Sequence, residues 1–323
     1  MMSFIIKRLL MSLLIVWGVL SICFLVLHLA PGDPASIYVR PGIHPEVIAG
    51  IREQMGLDLP LWKQYFVWIT DYLTGDFGIS FTHQKAIGAI FMETIPNTLR
   101  LTVIVLIIQY PIGIFLGVIG ALHRKTPADR IINGGLLFIY SMPGFWLAII
   151  LIFVFSLKLG WLPSGQMQSL YDINGFWPVL WDRIQHLILP VVVLSVPFVA
   201  YTARFVRENL IHILAQPYIF AAYTYGLTRK KVIYHYALKN ALLPLVTLLG
   251  LYLPFLLGGA VITEYIFAWP GMGRVMVNAV FAHDYALILA STFIAALTVV
   301  IGNLLSDLLY FIVDPRIRAG TKA

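Results

Sequence analysis

Seven stretches of this chain run for twenty or more residues without a single Asp, Glu, Lys or Arg. They are Leu9 to Gly32, Leu101 to His123, Ile131 to Leu157, Ile184 to Ala203, Asn209 to Thr228, Asn240 to Thr263 and Tyr285 to Ser306. A backbone crossing hydrocarbon must satisfy all its polar groups internally, and about 20 apolar residues in a helix are needed for the crossing. Runs of this length therefore point to an all-α integral membrane protein. Composition agrees: 60% of the 323 residues are hydrophobic, 11% are charged, and the mean hydropathy is +0.87. That leaves too little polar surface for a water-soluble globule of this size, and the 14% aromatic content excludes a disordered chain.

The run Asn209 to Thr228 differs from the others. It holds Asn209, His212, Gln216 and Pro217, and basic residues flank it: Arg204 and Arg207 before, Arg229, Lys230 and Lys231 after. Lys and Arg in short loops stay on the cytoplasmic side. With six spans and both termini inside, the inner loops and tails carry fourteen basic residues and the outer loops seven. A seventh span would move one basic cluster and the tail residues Arg316, Arg318 and Lys322 outside. Six spans are therefore expected, with residues 1–30 as a first helix retained in the membrane, since Pro31 after Ala30 makes a poor signal-cleavage site. The net charge of +7 is attributed to membrane orientation and not to nucleic acid.

The expected organisation continues with an external loop over 31–97, a five-helix core over 98–315 with a cytoplasmic loop at 209–239, and a tail at 316–323. Two short amphipathic helices are expected in the external loop: one opened by Pro45 and closed by Gly56, the other carrying Leu61, Tyr65, Trp68, Ile69 and Tyr72 until Gly75 stops it. They either anchor at the lipid interface or dock an external partner. Pro190, Pro197, Pro244 and Pro254 predict kinks in the fourth and fifth spans.

Enzymatic signatures are missing. There is no Gly-Lys pair and so no P-loop; Asp76-Phe77-Gly78 has no accompanying kinase motifs; Gly271-x-Gly273 follows a proline and reads as a turn. The histidines are scattered, with no acidic partner expected at i+4 on a shared face, and one cysteine, Cys23, supports neither disulfide nor metal cluster. Ser141 and Ser195 read as packing hydroxyls. No ladder of ionisable residues inside the spans suits ion coupling. No catalytic residue, metal or cofactor is assigned to the chain.

The loop Pro217 to Pro244 carries more. Pro217 suits the first turn of a short helix, Gly226 its C-terminal stop, and Thr228 the cap of a second helix running towards Asn240. On charge alone, Arg229, Lys230 and Lys231 could equally contact anionic lipid headgroups. The pattern Ala221-Ala222, Gly226, Ala237 to Ala241 and Leu243-Pro244 resembles the EAA loop of binding-protein-dependent ABC importers. Leu29-Ala30-Pro31-Gly32-Asp33-Pro34, the block at Gly75 to Ser80, Pro143 to Ala148, Glu264 to Arg274 (EYIFAWPGMGR) and Asp314 to Arg318 are similar, in order, to blocks of the dipeptide/oligopeptide/nickel permease family, B-type subunit.

That resemblance implies a type I ABC importer permease fold with six transmembrane helices and cytoplasmic termini, in a prokaryotic cytoplasmic membrane. It implies a related second permease, two cytoplasmic ATPase subunits that hold ATP and Mg, and an external solute-binding protein. The coupling residues it implies are Tyr218, Phe220, Ala221, Ala222, Tyr223, Gly226, Leu227, Thr228 and Arg229. Pro31, Gly32, Asp33, Pro34, Glu264, Gly271, Gly273 and Arg274 would form the external-gate motifs. Ser141, Met142, Phe145 and Trp146 are candidates for the translocation pathway. Phe220, Pro217 and Tyr225 stand where relatives carry charged residues, so an aromatic docking face of Tyr218, Phe220, Tyr223 and Tyr225 is expected. Peptides, nickel chelates, glutathione and sugar oligomers are all open as solutes. The competing readings are a stand-alone secondary carrier or channel, which would need coupling-ion groups or an inverted repeat, and an intramembrane enzyme, which would need a nucleophile or metal set.

Overall fold

The fold was obtained as a computed structural model, which describes residues 2–29, 58–171, 173–252 and 260–313. The expected helix between Pro45 and Gly56, the motif Pro31 to Pro34, the proline Pro254 and the tail at 316–323 lie outside the described residues. Nearly everything described is helical. The elements are α1 (Met2–Leu29), α2 (Leu61–Thr74), a hairpin of β1 (Ile79–Ser80) and β2 (Lys85–Ala86), α3 (Ile87–Leu122), α4 (Pro127–Tyr140) and α5 (Gly144–Leu151), which continues as π-helical turns through Lys158. Then follow α6 (Phe176–Leu214), α7 (Pro217–Thr224), α8 (Arg229–Lys231), π-helical turns over Val232–Ala237, α9 (Leu238–Tyr252), α10 (Val261–Ile266), α11 (Met272–Phe281) and α12 (Tyr285–Val313).

Among the described residues three helices are long and apolar enough to cross a membrane: Ile87–Leu122, Phe176–Leu214 and Tyr285–Ser306. The pair α4 and α5 makes a fourth crossing if it is counted as one span, and a shorter apolar helix covers Leu10–Val26. The chain is thus a multi-pass membrane protein. The third apolar run departs from expectation, because α4 and the α5 segment meet at 97° across Ser141, Met142 and Pro143. Proline drives its predecessor out of the helical region, and Pro143 itself is extended (φ −60°, ψ 129°), so the run breaks there. Pro190 and Pro197, where kinks are expected, lie inside one continuous helix of 39 residues, about 58 Å long at 1.5 Å per residue. Asn209 to Thr228 is not a span: α6 supplies its first part and ends at Leu214, and α7 the second.

The chain divides into two compact units. The first gathers the described residues of Met1–Pro96 and Val275–Val300. Gly75, left-handed at φ +86°, closes α2 as expected. The inner face of α2 packs on protein: Phe24 lies edge-on to Tyr65 at 5.2 Å, and Tyr72 meets Trp68, Phe77 and Phe293 at 4.5–5.5 Å. Trp62 and Phe66 remain exposed on its other side. The hairpin was not expected. Ser80 Oγ and Thr82 N–H both donate to Asp284 Oδ2, at 2.6 and 3.0 Å, and Asp284 Oδ1 accepts from Leu287 N–H at the start of α12. One buried carboxylate thus fixes the hairpin and caps a helix. α3 begins at Ile87, inside the segment read as loop.

The second unit gathers the described residues of Asn97–Arg274 and Ile301–Ala323. α3 and α6 approach so closely that a Cβ on Gly113 would stand 2.6 Å from Thr202 Cβ, and one on Gly117 2.6 Å from Ala203 O. Small residues at such crossings replace the hydrophobic driving force that lipid does not supply. Asp129 joins α4 to α6 by a bidentate pair with Arg207, both bonds at 2.8 Å, and also accepts from Lys125 N–H. Its partner face is reinforced by Leu136 packed on Ala200 and Ala203.

Candidate functional site

α7 is a short, sharply delimited projection. Gln216 is extended (φ −77°, ψ 145°) and Pro217 occupies the first turn, where its missing N–H costs nothing. At the other end Gly226 N–H donates to Tyr223 O at 3.0 Å, and Leu227 N–H donates to Ala222 O at 3.3 Å. This pair is a Schellman closure, and Gly226 takes the left-handed conformation it requires, φ +78°. Leu227 packs into the cluster that holds Ile219 and Ala222, completing the apolar contact that accompanies such a stop.

The helix has two faces. Ile219 and Ala222 are buried against Val206 and Leu210 of α6 and against Val232, Ala237 and Ala241 of the following helical run. Tyr218, Phe220, Tyr223 and Tyr225 point away from that core, with 41%, 62%, 41% and 87% of their surface exposed. The aromatic face expected from sequence is therefore unburied in this chain. Tyr218 is further located by Asn240 Nδ2, which donates to its hydroxyl at 3.1 Å. Ala221 is exposed, and Thr228, Arg229, Lys230 and Lys231 form an exposed basic shoulder. A groove of about 350 Å³ opens there between Thr228, Lys230, Lys231, Tyr234 and His235.

One expectation about this loop fails. Thr228 stands at the N-cap position, extended at ψ 144°, but its side chain makes no cap hydrogen bond. The backbone carries the start instead, through Val232 N–H donating to Thr228 O at 3.0 Å. The run towards Asn240 is also widened to π-helical turns over Val232–Ala237, and no residue pattern had signalled that.

The other sequence candidates fall into separate places. Ser141 and Met142 form the break between α4 and α5, Ser141 Oγ donating to Leu137 O at 2.8 Å, and Phe145 and Trp146 are exposed on the first turn of α5. Glu264, Gly271, Gly273 and Arg274 come together. The fully buried Glu264 carboxylate accepts from Gly273 N–H at 2.7 Å and Arg274 N–H at 3.2 Å, at the start of α11. A Cβ on Gly271 would come within 2.4 Å of that carboxylate, and one on Gly273 within 2.6 Å of Val261 Cα. Glycine is required at Gly271 because the carboxylate fills the space, and at Gly273 because the Val261 backbone and the carboxylate fill it together. Arg274 extends to donate to Ala268 O at 2.6 Å, and Trp269 Nε1 donates to Asn97 O at 3.0 Å. The block is a self-capped turn built around one acid.

A second group escaped the sequence reading altogether. Asp182, buried in α6, accepts from Ser169 N–H at 2.9 Å and Ser169 Oγ at 2.5 Å. His186, one turn on, is buried with Nδ1 2.8 Å from Asp182 O and 3.6 Å from its carboxylate. This corrects the expectation that no histidine has an acidic partner at i+4. Asp182 and Ser169 border a cavity of about 790 Å³ whose wall includes Asn97, Gln166, Gln168, Arg183, Pro270 and Arg274.

Residues 109–319 match the family described as binding-protein-dependent transport system inner membrane component, and residues 1–102 match the N-terminal model of the same kind of membrane component. The chain belongs to this family. Among its relatives are the oligopeptide transport system permease protein AppB of Bacillus subtilis (strain 168), 39% identical over 319 residues, and the dipeptide transport system permease protein DppB of Escherichia coli (strain K12), 36% identical over 336 residues. Each alignment covers 98% of this chain and 99% of the relative. The glutathione transport system permease protein GsiC of Escherichia coli O1:K1 / APEC is 35% identical over 318 residues, with the same coverage. In fold, the chain is similar to a chain of the MetNI methionine ABC transporter in an inward-facing crystal form, with a TM-score of 0.53 at 17% identity, covering 70% of this chain and 96% of that one. Similarity at that identity speaks to the fold alone.

Proposed function

We propose that this chain is one permease subunit of an ATP-driven importer, forming half of a translocation pathway for peptides or a related small solute. In this reading six helices cross a prokaryotic cytoplasmic membrane with both termini inside. A related permease pairs with it, two ATPase subunits holding ATP and Mg lie on the cytoplasmic side, and a solute-binding protein delivers cargo outside. The peptide preference rests on the relatives' names, since AppB and DppB are permeases of oligopeptide and dipeptide systems. The 1–30, 31–97, 98–315 and 316–323 organisation belongs to the same reading.

The observation that carries it is α7: a helix fixed at both ends, buried on one face and aromatic on the other. ATP-driven closure of the ATPases needs a rigid element to push on, and a helix anchored through Ile219 and Ala222 onto the end of α6 transmits displacement without collapsing. Tyr218, Phe220, Tyr223 and Tyr225 would seat in an apolar groove of one ATPase. The chain itself carries out no bond chemistry. The break at Ser141 to Pro143 lets α4 and α5 tilt separately, which suits alternating access, with Phe145 and Trp146 facing the pathway or the second permease.

Crosslinking tests this. With Cys23 replaced by serine, a cysteine in place of Phe220 should crosslink to a co-expressed ATPase subunit, and one in place of the buried Ile219 should not. Crosslinking of neither, in a complex that otherwise assembles, removes α7 as the docking element.

A further inference from the structure

We infer that one face of α2 is an interfacial anchor, seated at the boundary between headgroups and acyl chains of one membrane leaflet; this stands whether or not the importer reading does. α2 carries three stripes. Tyr65, Trp68 and Tyr72 form the first and pack on Phe24 of α1 and Phe293 of α12. One residue further round, Trp62, Phe66, Ile69 and Leu73 fall at i, i+4, i+7 and i+11, a second apolar stripe turned about 100° from the first. This stripe stays open: Trp62, Phe66 and Leu73 are 61%, 61% and 71% exposed, and Ile69 is half-buried. Lys63, Gln64, Thr70, Asp71 and Thr74, with Val67 among them, occupy the remaining side. A helix with one face on protein, one apolar face open and one polar face suits a position beside membrane spans, in the plane of the interface.

The neighbours of α2 fix its level. Ser21 Oγ and the Tyr65 hydroxyl are hydrogen-bonded at 2.6 Å, and the Phe24 ring lies 5.2 Å from Tyr65 and 5.7 Å from Trp68. The apolar part of α1 is Leu10–Val26, so Ser21 and Phe24 stand about 8 and 3 Å inside its end at 1.5 Å per residue. On the opposite flank Phe77, just past α2, packs at 5.7 Å on Phe91, two residues before Glu93, whose side chain is 65% exposed. α2 therefore lies where the apolar run of one neighbour ends and the charges of another begin, which is the level of the interface. The open stripe has the chemistry of that level. Along about 16 Å its one hydrogen-bonding group is the Trp62 indole N–H, so it offers a protein partner little to orient on, whereas acyl chains ask only for apolar surface. The Lys63 ammonium stands 5.4 Å over the Trp62 ring, a cation on the polar side of an indole, as in side chains that straddle the two layers.

The test reads which solvent each stripe meets. Nitroxide labels on Phe66→Cys, Leu73→Cys, Val67→Cys and Asp71→Cys, each in a Cys23→Ser chain within the assembled transporter in phosphatidylcholine nanodiscs, are exposed to oxygen, which concentrates among acyl chains, and to a nickel chelate, which stays in water. The ratio of oxygen to nickel access should be several-fold higher at positions 66 and 73 than at 67 and 71, and the same with and without the solute-binding protein. A second measurement needs no substitution and stands in if labelled chains fail to assemble: a phosphatidylcholine with a photoactivatable diazirine on its acyl chain should leave adducts on Trp62, Phe66 or Leu73 of the wild-type chain, and none on Lys63 or Asp71. Equal nickel access at all four positions puts the stripe in water and overturns the proposal. Positions 66 and 73 closed to both reagents would mean that protein covers the stripe, the second permease or residues 31–57, and overturns it too. So does oxygen access at 66 and 73 that is lost when the binding protein is added, which makes that protein the occupant. Absence of lipid adducts from the open stripe of the wild-type chain has the same force. Each of these results leaves the importer reading standing.

Discussion

Gly226 isolates the projection from the rest of the molecule. A Cβ at this position meets no atom within 4 Å, so Gly226→Val has no clash to relieve and its whole cost lies in the backbone. At φ +78° an L-residue loses about 1–2 kcal/mol, and a β-branched residue stands at the upper end of that range. Two kilocalories change the population of the Schellman turn by a factor of about 30. That is small against the stability of a membrane bundle but large for one turn closed by two hydrogen bonds, Gly226 to Tyr223 and Leu227 to Ala222. The variant should insert and assemble normally while α7 loses its fixed end. In proteoliposomes with ATPases, second permease and binding protein, solute-stimulated hydrolysis should fall several-fold and transport with it, and affinity for the loaded binding protein should be unchanged. Gly226→Asn, which tolerates the left-handed region, should restore most of the stimulation. If the shoulder only anchors lipid, neutralising Arg229, Lys230 and Lys231 together should matter more than Gly226→Val. Normal stimulation in Gly226→Val refutes the assignment of α7.

Three further outcomes follow from the same geometry. Cysteines placed at Asp71 and at Lys230, in a Cys23-free chain, should label from opposite sides of the membrane, and same-side labelling contradicts six spans. Gly273→Ala should destabilise by about 1–3 kcal/mol, because its Cβ meets Val261 Cα at 2.6 Å and the Glu264 carboxylate at 2.9 Å, read as a lower melting temperature in detergent. Asp129→Ala leaves the Arg207 guanidinium without its bidentate partner and should cost a similar amount, about 1–3 kcal/mol; a melting temperature equal to wild type would show the pair to be dispensable.

What the sequence disclosed was local. Pro217 and Gly226 mark α7 because each acts through its own backbone geometry, and Gly75 marks the end of α2 for the same reason. Charge-free runs found the apolar segments but not their ends. α3 begins at Ile87 because a helix can carry Glu93 and Arg100 where it leaves the hydrocarbon, and hydropathy cannot see that. The break before Pro143 was readable from the proline itself, but the surrounding apolar run hid it. Asp182 fell outside attention because the fourth run was counted from Ile184, which separated the acid from His186 one turn later. Its link to Ser169 crosses an irregular loop, and no periodicity foretells such a contact. The self-capped turn around Glu264 belongs to the same class: the glycines were visible, but the carboxylate that requires them was not.

The central claim is that this chain works only as part of an ATP-driven assembly, and purification from native membranes tests it most directly. An affinity-tagged chain should bring down a second permease and ATPase subunits, and the isolated chain should neither hydrolyse ATP nor move solute in proteoliposomes. A chain that purifies alone and carries solute down or against its gradient without ATP would contradict the account.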